Sequence, residues 1–233
     1  MKHLIVLSGG LDSTTLMYLL KKKYAAGVDS FGRGRKNLEA LIFKYGQKHT
    51  KETRYAAYNC ALLGVSYTLA DITSINGLIA KGALAGLGEV PEGRYDAPVM
   101  IQTVVPNRNM ILLSIAAGYA ASNGIQAVHY AAHKGDHTIY PDCRPEFVSA
   151  LRRAIRLGNL WENKNESVML FADFIHKNKA QIVRIGEKLH VPFSDTWSCY
   201  NGRLYHCGKC GTCVERKEAF VEAGVTDPTV YES

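Results

Sequence analysis

Four of the six cysteines, Cys199, Cys207, Cys210 and Cys213, fall within fifteen positions. Four thiolates close a tetrahedral shell, and the Cys-Gly-Lys-Cys turn wraps two of them around one ion. With every position filled by sulfur, no site is left for water, so the zinc expected here is structural. An iron–sulfur cluster is the competing use of four sulfurs. Lys209, Arg203 and Arg216 lie close enough in sequence to offset the excess negative charge. In a reducing compartment such crowding argues for metal over disulfides.

A second stretch is suited to phosphate. His3-Leu4-Ile5-Val6-Leu7 reads as a buried strand, and Ser8, Gly9, Gly10, Leu11, Asp12, Ser13 and Thr14 follow it. Paired glycines let backbone approach a ligand closely, and the amides at the start of the next helix carry the positive end of its dipole. The run is neither a Walker A loop nor a dinucleotide fingerprint, since neither spacing is present. Further on, Arg108 in Val105-Pro106-Asn107-Arg108-Asn109 could bridge two phosphate oxygens, with Asn107 capping the helix that begins there. Lys179 opens another helix and could reach the same phosphates.

The run from Ala132 to Arg144 is dense in polar groups for a loop that follows a strand. Asp136 or Asp142 could accept the N–H edge of a guanine-like ring. Cys143 could be a nucleophile, yet no base lies beside it in sequence, and a small buried residue is an equal reading.

These groups need a scaffold. Strands are expected at residues 3–7, 41–43, 66–69, 127–131 and 168–171. Helices are expected from Leu16 to Lys23, Thr50 to Leu63, Asn107 up to a stop at Gly124, Pro145 to Leu157, Lys179 to Leu189 and Val214 to Ala223. Residues 71–105 read as an excursion with a short helix, and Gly27 to Asn37 as a basic surface loop. Alternation of this kind means an α/β fold, a Rossmann-like parallel sheet with helices on both faces. Ligands of such sheets bind at the carboxyl ends of the strands, where Ser8–Thr14, Lys44–His49 and His133–Arg144 all fall. Residues 1–190 form the expected α/β domain, with residues 191–233 as a zinc-binding element packed on it.

A chain of 233 residues, 47% hydrophobic and 21% charged, can bury a full core. No apolar run is long enough to span a bilayer, and the first residues lack the layout of a signal peptide, so a cytoplasmic protein with no membrane partner is expected. The formal charge of +7 suits ATP, an anionic substrate or nucleic acid without choosing among them. A zinc-stabilised nucleic-acid module would show steep salt dependence and no ATP turnover. It leaves the Ser-Gly-Gly-Leu-Asp-Ser run unexplained.

That run resembles the pyrophosphate loop of the N-type ATP pyrophosphatases. Taken with Tyr45-Gly46-Gln47-Lys48-His49, Val105–Asn109, Tyr140-Pro141-Asp142-Cys143-Arg144, Lys179-Ala180 and the four-cysteine cluster, the chain resembles the 7-cyano-7-deazaguanine synthase family over nearly its whole length. The resemblance implies a fold like that of the adenine nucleotide α-hydrolases. It also implies a C–N ligase of queuosine-type nucleoside biosynthesis. Such an enzyme adenylates 7-carboxy-7-deazaguanine with ATP, takes ammonia to the amide, and adenylates again to give the nitrile. Structural zinc, magnesium with ATP and a homodimer come with it, and direct nucleic-acid binding does not. By the same resemblance, Ser8–Thr14, Tyr45 and Gln47 hold nucleotide, with Asp12, Arg108 and Lys179 catalytic. Asp136, Tyr140, Asp142 and Arg144 hold the acid. The alternatives are a variant that stops at the amide for DNA modification, or another pyrophosphate-loop enzyme that modifies tRNA. Three departures stand out: Lys44 where the family usually has Asp, Asn107 where it often has Gly, and a longer 27–37 loop carrying Arg33, Arg35 and Lys36.

Overall fold

A computed structural model describes residues 1–24, 37–47, 50–79, 89–159 and 167–232. Most of the 27–37 loop, Lys48 and His49 lie outside the described residues, as does the middle of the 71–105 excursion.

Five strands form one parallel sheet in the order β3-β2-β1-β4-β5. They are β1 (His3–Val6), β2 (Leu38–Lys44), β3 (Ser66–Asp71), β4 (Ala127–Tyr130) and β5 (Met169–Ala172). β1 lies between β2 and β4, pairing Ile5 with Ala40 and with His129. The order reverses at β1, so the crevice above it is the place where ligands of such sheets bind.

Alternate side chains of the central strands go to opposite faces. Leu4, Leu41, Phe43 and Val128 pack under α4 (Arg108–Ser122) and α5 (Pro145–Gly158). Ile5, Leu7, Ala40 and Ile42 pack under α1 (Leu11–Tyr24), α2 (Lys51–Leu63), α6 (Lys179–Lys188) and α7 (Gly211–Ala223). The expected doubly covered sheet is what the chain forms. The 71–105 excursion holds a short helix, α3 (Asn76–Ile79), and a 3-10 segment, Pro98–Thr103. Among the described residues no helix is long and apolar enough to cross a membrane.

Two expected caps differ. Thr50 precedes α2 but makes no side-chain cap; its carbonyl accepts from Thr53 Oγ1 instead. Asn107 precedes α4 in the left-handed region, φ 56°, also without a side-chain cap. That conformation explains how Gly and Asn can both serve here, since Asn tolerates it best after Gly. The cap comes from far along the chain: Asn109 N donates to Asp142 Oδ2 at 2.9 Å. α7 also starts earlier than expected, at Gly211, with Cys210 as its N-cap residue.

Under β1 lies a buried polar chain. His3 Nδ1 is 3.0 Å from His129 Nε2, and His129 Nδ1 is 2.8 Å from Asp173 Oδ2. Tyr24 stacks on His3 with ring centres 3.8 Å apart. Burial, and then His129, holds His3 down from 6.5 to about 4. A folded value below the unfolded one means stability that is complete above pH 6.5 and lost as pH falls toward 4. The loss amounts to at most about 3 kcal/mol. His3→Phe keeps the stacking but cannot take a proton. Urea unfolding across this range is expected to show the variant losing about 3 kcal/mol less than the wild type. Parallel curves would contradict the assignment.

Candidate active site

A cavity of about 260 Å³ opens above the carboxyl ends of β1, β2 and β4. Ser8, Gly10, Leu11, Asp12 and Ser13 form its floor, Tyr45, Gln47, Arg108 and Tyr140 one side, and Asp136 and Lys179 the other.

The floor is a braced turn. Ser8 Oγ lies 2.9 Å from Ser13 Oγ, and Gly10 N donates to Ser8 Oγ at 3.3 Å. Thr14 N donates to Gly10 O, so the amides of Leu11, Asp12 and Ser13 head α1 without intrahelical acceptors. They can bind an anion. Gly9 and Thr14 do not line the cavity. Gly9 is the hinge of the turn, with φ +83° and its carbonyl accepting from Trp197 N at 2.9 Å. Thr14 is fully buried beneath.

Opposite charges converge on one wall. Lys179 Nζ pairs with Glu215 of α7 and lies 3.4 Å from Asp12 Oδ2. His133 Nε2 is 3.7 Å from Asp12 and 3.6 Å from Asp136. Tyr95 OH donates to Asp136 Oδ1 at 3.0 Å. Burial pulls the Lys179 ammonium down, but Asp12, Glu215 and Asp136 outweigh it and hold it above its usual value. Burial likewise pushes Asp136 up, and His133 and Lys179 overcome that push and lower it. Lys179 therefore stays charged and Asp136 ionised at neutral pH.

On the other side Arg108 sits beside Tyr45, with its guanidinium 5.8 Å above the ring of Tyr140. Tyr140 OH reaches Thr103 Oγ1 at 2.8 Å and Tyr200 OH at 3.3 Å. Asp142 and Arg144 do not line the cavity: Asp142 caps α4, and the exposed Arg144 donates to His137 O at 2.8 Å. Lys44 does not line it either, since its ammonium pairs with Asp71 at 2.8 Å.

Cys143 lines the cavity, buried, with its sulfur accepting from Asn109 Nδ2 at 3.1 Å. Burial pushes its thiol far above the ordinary value. A thiol so hard to ionise is a poor nucleophile. Cys143→Ala is expected to retain product formation within about tenfold, against the thousandfold or greater loss when a covalent nucleophile is removed. Steady-state assay separates the two.

The four sulfurs of Cys199, Cys207, Cys210 and Cys213 lie within 4.8 Å of one another, all buried. Cys199 Sγ accepts from Asn201 N and Cys207 N, and Cys207 Sγ from Cys210 N. Backbone donors aimed at sulfur fit thiolates around one metal ion. The expected balancing cations are engaged elsewhere or open to solvent. Arg216 is bound to Asp227, Arg203 to Glu232, and Lys209 is exposed. Cys210 and Cys213 instead sit at the N-terminus of α7, whose dipole favours negative charge. The cysteine element also walls the cavity, through Trp197, Ser198, Tyr200 and Thr212.

Sequence reasoning missed Glu52, Tyr95, His133, Trp197, Tyr200 and Glu215. His133 lay within a run already singled out. Tyr200 stands beside Cys199 of the cysteine cluster; the others carry no motif, and only the fold brings them to β1.

The sheet order, the glycine turn after β1 and the cavity above it define a pyrophosphate-loop α/β fold. Among solved structures, similar folds are U34-tRNA thiolase NcsA from Methanococcus maripaludis and NH3-dependent NAD synthetase from Campylobacter jejuni. The first has a TM-score of 0.52 and 16% identity, covering 82% of this chain and 57% of that one. The second has a TM-score of 0.50 and 16% identity, covering 96% and 75%. At such identities the likeness speaks for the fold alone. Residues 2–224 match the family profile of queuosine biosynthesis protein QueC. A 7-cyano-7-deazaguanine synthase of Marinomonas sp. is 47% identical over 232 residues, 100% of this chain and 99% of that one. One of Archaeoglobus fulgidus is 49% identical over 228 residues, 98% of this chain and 89% of that one. The chain belongs to the QueC family of enzymes.

Proposed function

We propose that the protein is a 7-cyano-7-deazaguanine synthase, joining 7-carboxy-7-deazaguanine and ammonia with the cleavage of ATP to AMP and pyrophosphate. The observation that carries this reading is the open amide cluster after β1 facing Lys179 and Arg108 across one cavity. The amides of Leu11, Asp12 and Ser13 grip the leaving pyrophosphate. Lys179 and Arg108 neutralise charge that builds on phosphate oxygens as it departs. Tyr45 and Gln47 flank the nucleotide. Asp136 and Tyr140 face the deazapurine, with Asp136 kept ionised so that it accepts the ring N–H groups. Asp142 and Arg144 act on the acid only indirectly, by fixing the loop and the start of α4.

Asp12 keeps one buried carboxylate oxygen, Oδ1, without a hydrogen-bond partner among the described residues. It is the residue assigned to magnesium, which accompanies ATP and neutralises phosphate charge. The four thiolates are assigned to structural zinc, which ties the strand-end wall of Trp197–Tyr200 to α7. A 1–190 α/β domain with a 191–233 zinc element, a homodimer and a cytoplasmic location belong to the same reading. The amide-forming and tRNA-modifying alternatives are not favoured.

Incubation with ATP, magnesium, ammonium and the acid, followed by mass spectrometry, tests it. The expected product is the nitrile. A product one water heavier means the reaction stops at the amide, and unchanged acid contradicts the reading.

A further inference from the structure

Both stages of the proposed reaction release protons from nitrogen inside a walled cavity, and some group there must take them. The carboxylates on the Lys179 wall are committed: Asp12 faces Lys179, and Asp136 is held by Tyr95 and His133. His133 accepts at Nδ1 from Gly135 N at 3.0 Å, which places its own proton on Nε2, toward those carboxylates. Lys179 and Arg108 are cations, and the thiol of Cys143 is held far above neutrality.

Glu52 is different. It stands in the first turn of α2, lines the cavity, and forms neither an ion pair nor a side-chain hydrogen bond among the described residues. The turn that carries it presses on the phosphate floor, since a Cβ at Gly9 would lie 2.2 Å from Glu52 O. We propose that Glu52 is the general base of the nitrogen chemistry, a role that rests on the function proposed above. The charged and titratable groups facing it are Arg108 and the hydroxyl of Tyr45. Burial raises its carboxyl to about 7, against the lowering pull of Arg108. A group of that strength is half ionised under working conditions, which suits proton transfer in both directions.

In amidation, nitrogen of ammonia bonds to the acyl carbon of the acid–AMP anhydride. The C–O bond to AMP breaks, AMP leaves with the electron pair, and the proton shed by nitrogen passes to Glu52. In the second stage the amide oxygen bonds to the α-phosphorus of another ATP and pyrophosphate leaves. Nitrogen then gives up its two protons in turn, by way of Glu52 to water, as the C–O bond breaks and AMP departs from the nitrile.

Glu52→Gln tests the assignment with three readouts. Acid-dependent exchange of labelled pyrophosphate into ATP reports adenylation alone and is expected to stay within about threefold of wild type. Amide formation from ammonia, compared at fixed free ammonia, is expected to fall at least about 100-fold and to lose its acid limb near pH 7. Hydroxylamine is a weaker base and sheds its proton more readily, so hydroxamate formation is expected to be largely spared. Glu52→Asp is expected to recover part of the ammonia step. Amide formation at the wild-type rate, or loss of pyrophosphate exchange together with it, would overturn the role of Glu52. Absence of acid-dependent exchange in the wild-type protein would instead overturn the proposed function.

Discussion

Gly9→Ala is expected to lower acid-dependent ATP cleavage by about 100-fold or more. Gly9 has φ +83°, and a Cβ there would meet Glu52 O at 2.2 Å and Ala56 N at 2.7 Å. The left-handed backbone costs an alanine roughly 1–2 kcal/mol by itself. The overlap is the larger effect, because both atoms it meets are backbone. Either α2 moves off the turn or the turn opens, and each shifts the amides of Leu11, Asp12 and Ser13 from the phosphate position. Displacements near 1 Å at a reacting centre cost on the order of 100-fold. Gly64→Ala is the matched control. Gly64 also has positive φ, +59°, but a Cβ there meets nothing within 4 Å. It is expected to lose about 1 kcal/mol of stability and no activity. Equal losses from the two substitutions would refute the steric account of the turn.

Lys179→Met is expected to damage both folding and chemistry. The ammonium holds Asp12 and Glu215 together in a wall where its own side chain is only 11% exposed. Removing the cation leaves carboxylates facing one another with only His133 nearby. Breaking a buried pair from one side costs about 3–5 kcal/mol. Adenylation should fall by about 100- to 1000-fold, since one preorganised charge on the departing phosphate contributes about 3–4 kcal/mol. Denaturant unfolding and pyrophosphate exchange separate the two losses. Adding Glu215→Gln removes one stranded charge, so the double variant should regain part of the stability and none of the exchange. If it regains both, Lys179 serves the fold alone.

The scaffold was readable because its signals are local. The apolar runs of β1 and β4 and the periodicity of α4 and α6 depend on neighbours a few positions away. So does the crowding of four cysteines. What escaped the sequence depends on distant contacts. Asp142 looked like a ligand group and instead caps α4, because the cap comes from 33 residues further along the chain. Asn107 looked like a cap and is a left-handed turn residue. Arg216 looked like a counter-charge for the cysteines and is fully buried against Asp227, Thr196 and Phe193 O. Glu215, four residues past an α7 start that itself was placed too late, had no local mark. The phosphate turn and Lys179 were visible as candidates, but the wall of charge between them was not.

The central claim is that the acid's own oxygens are carried off on AMP while the turn after β1 holds pyrophosphate. It is tested by supplying 7-carboxy-7-deazaguanine labelled with oxygen-18 at both carboxylate oxygens and weighing every product. Expected are two labelled AMP molecules per nitrile, one label in each, with unlabelled pyrophosphate. Unlabelled AMP, or label in pyrophosphate, would contradict it.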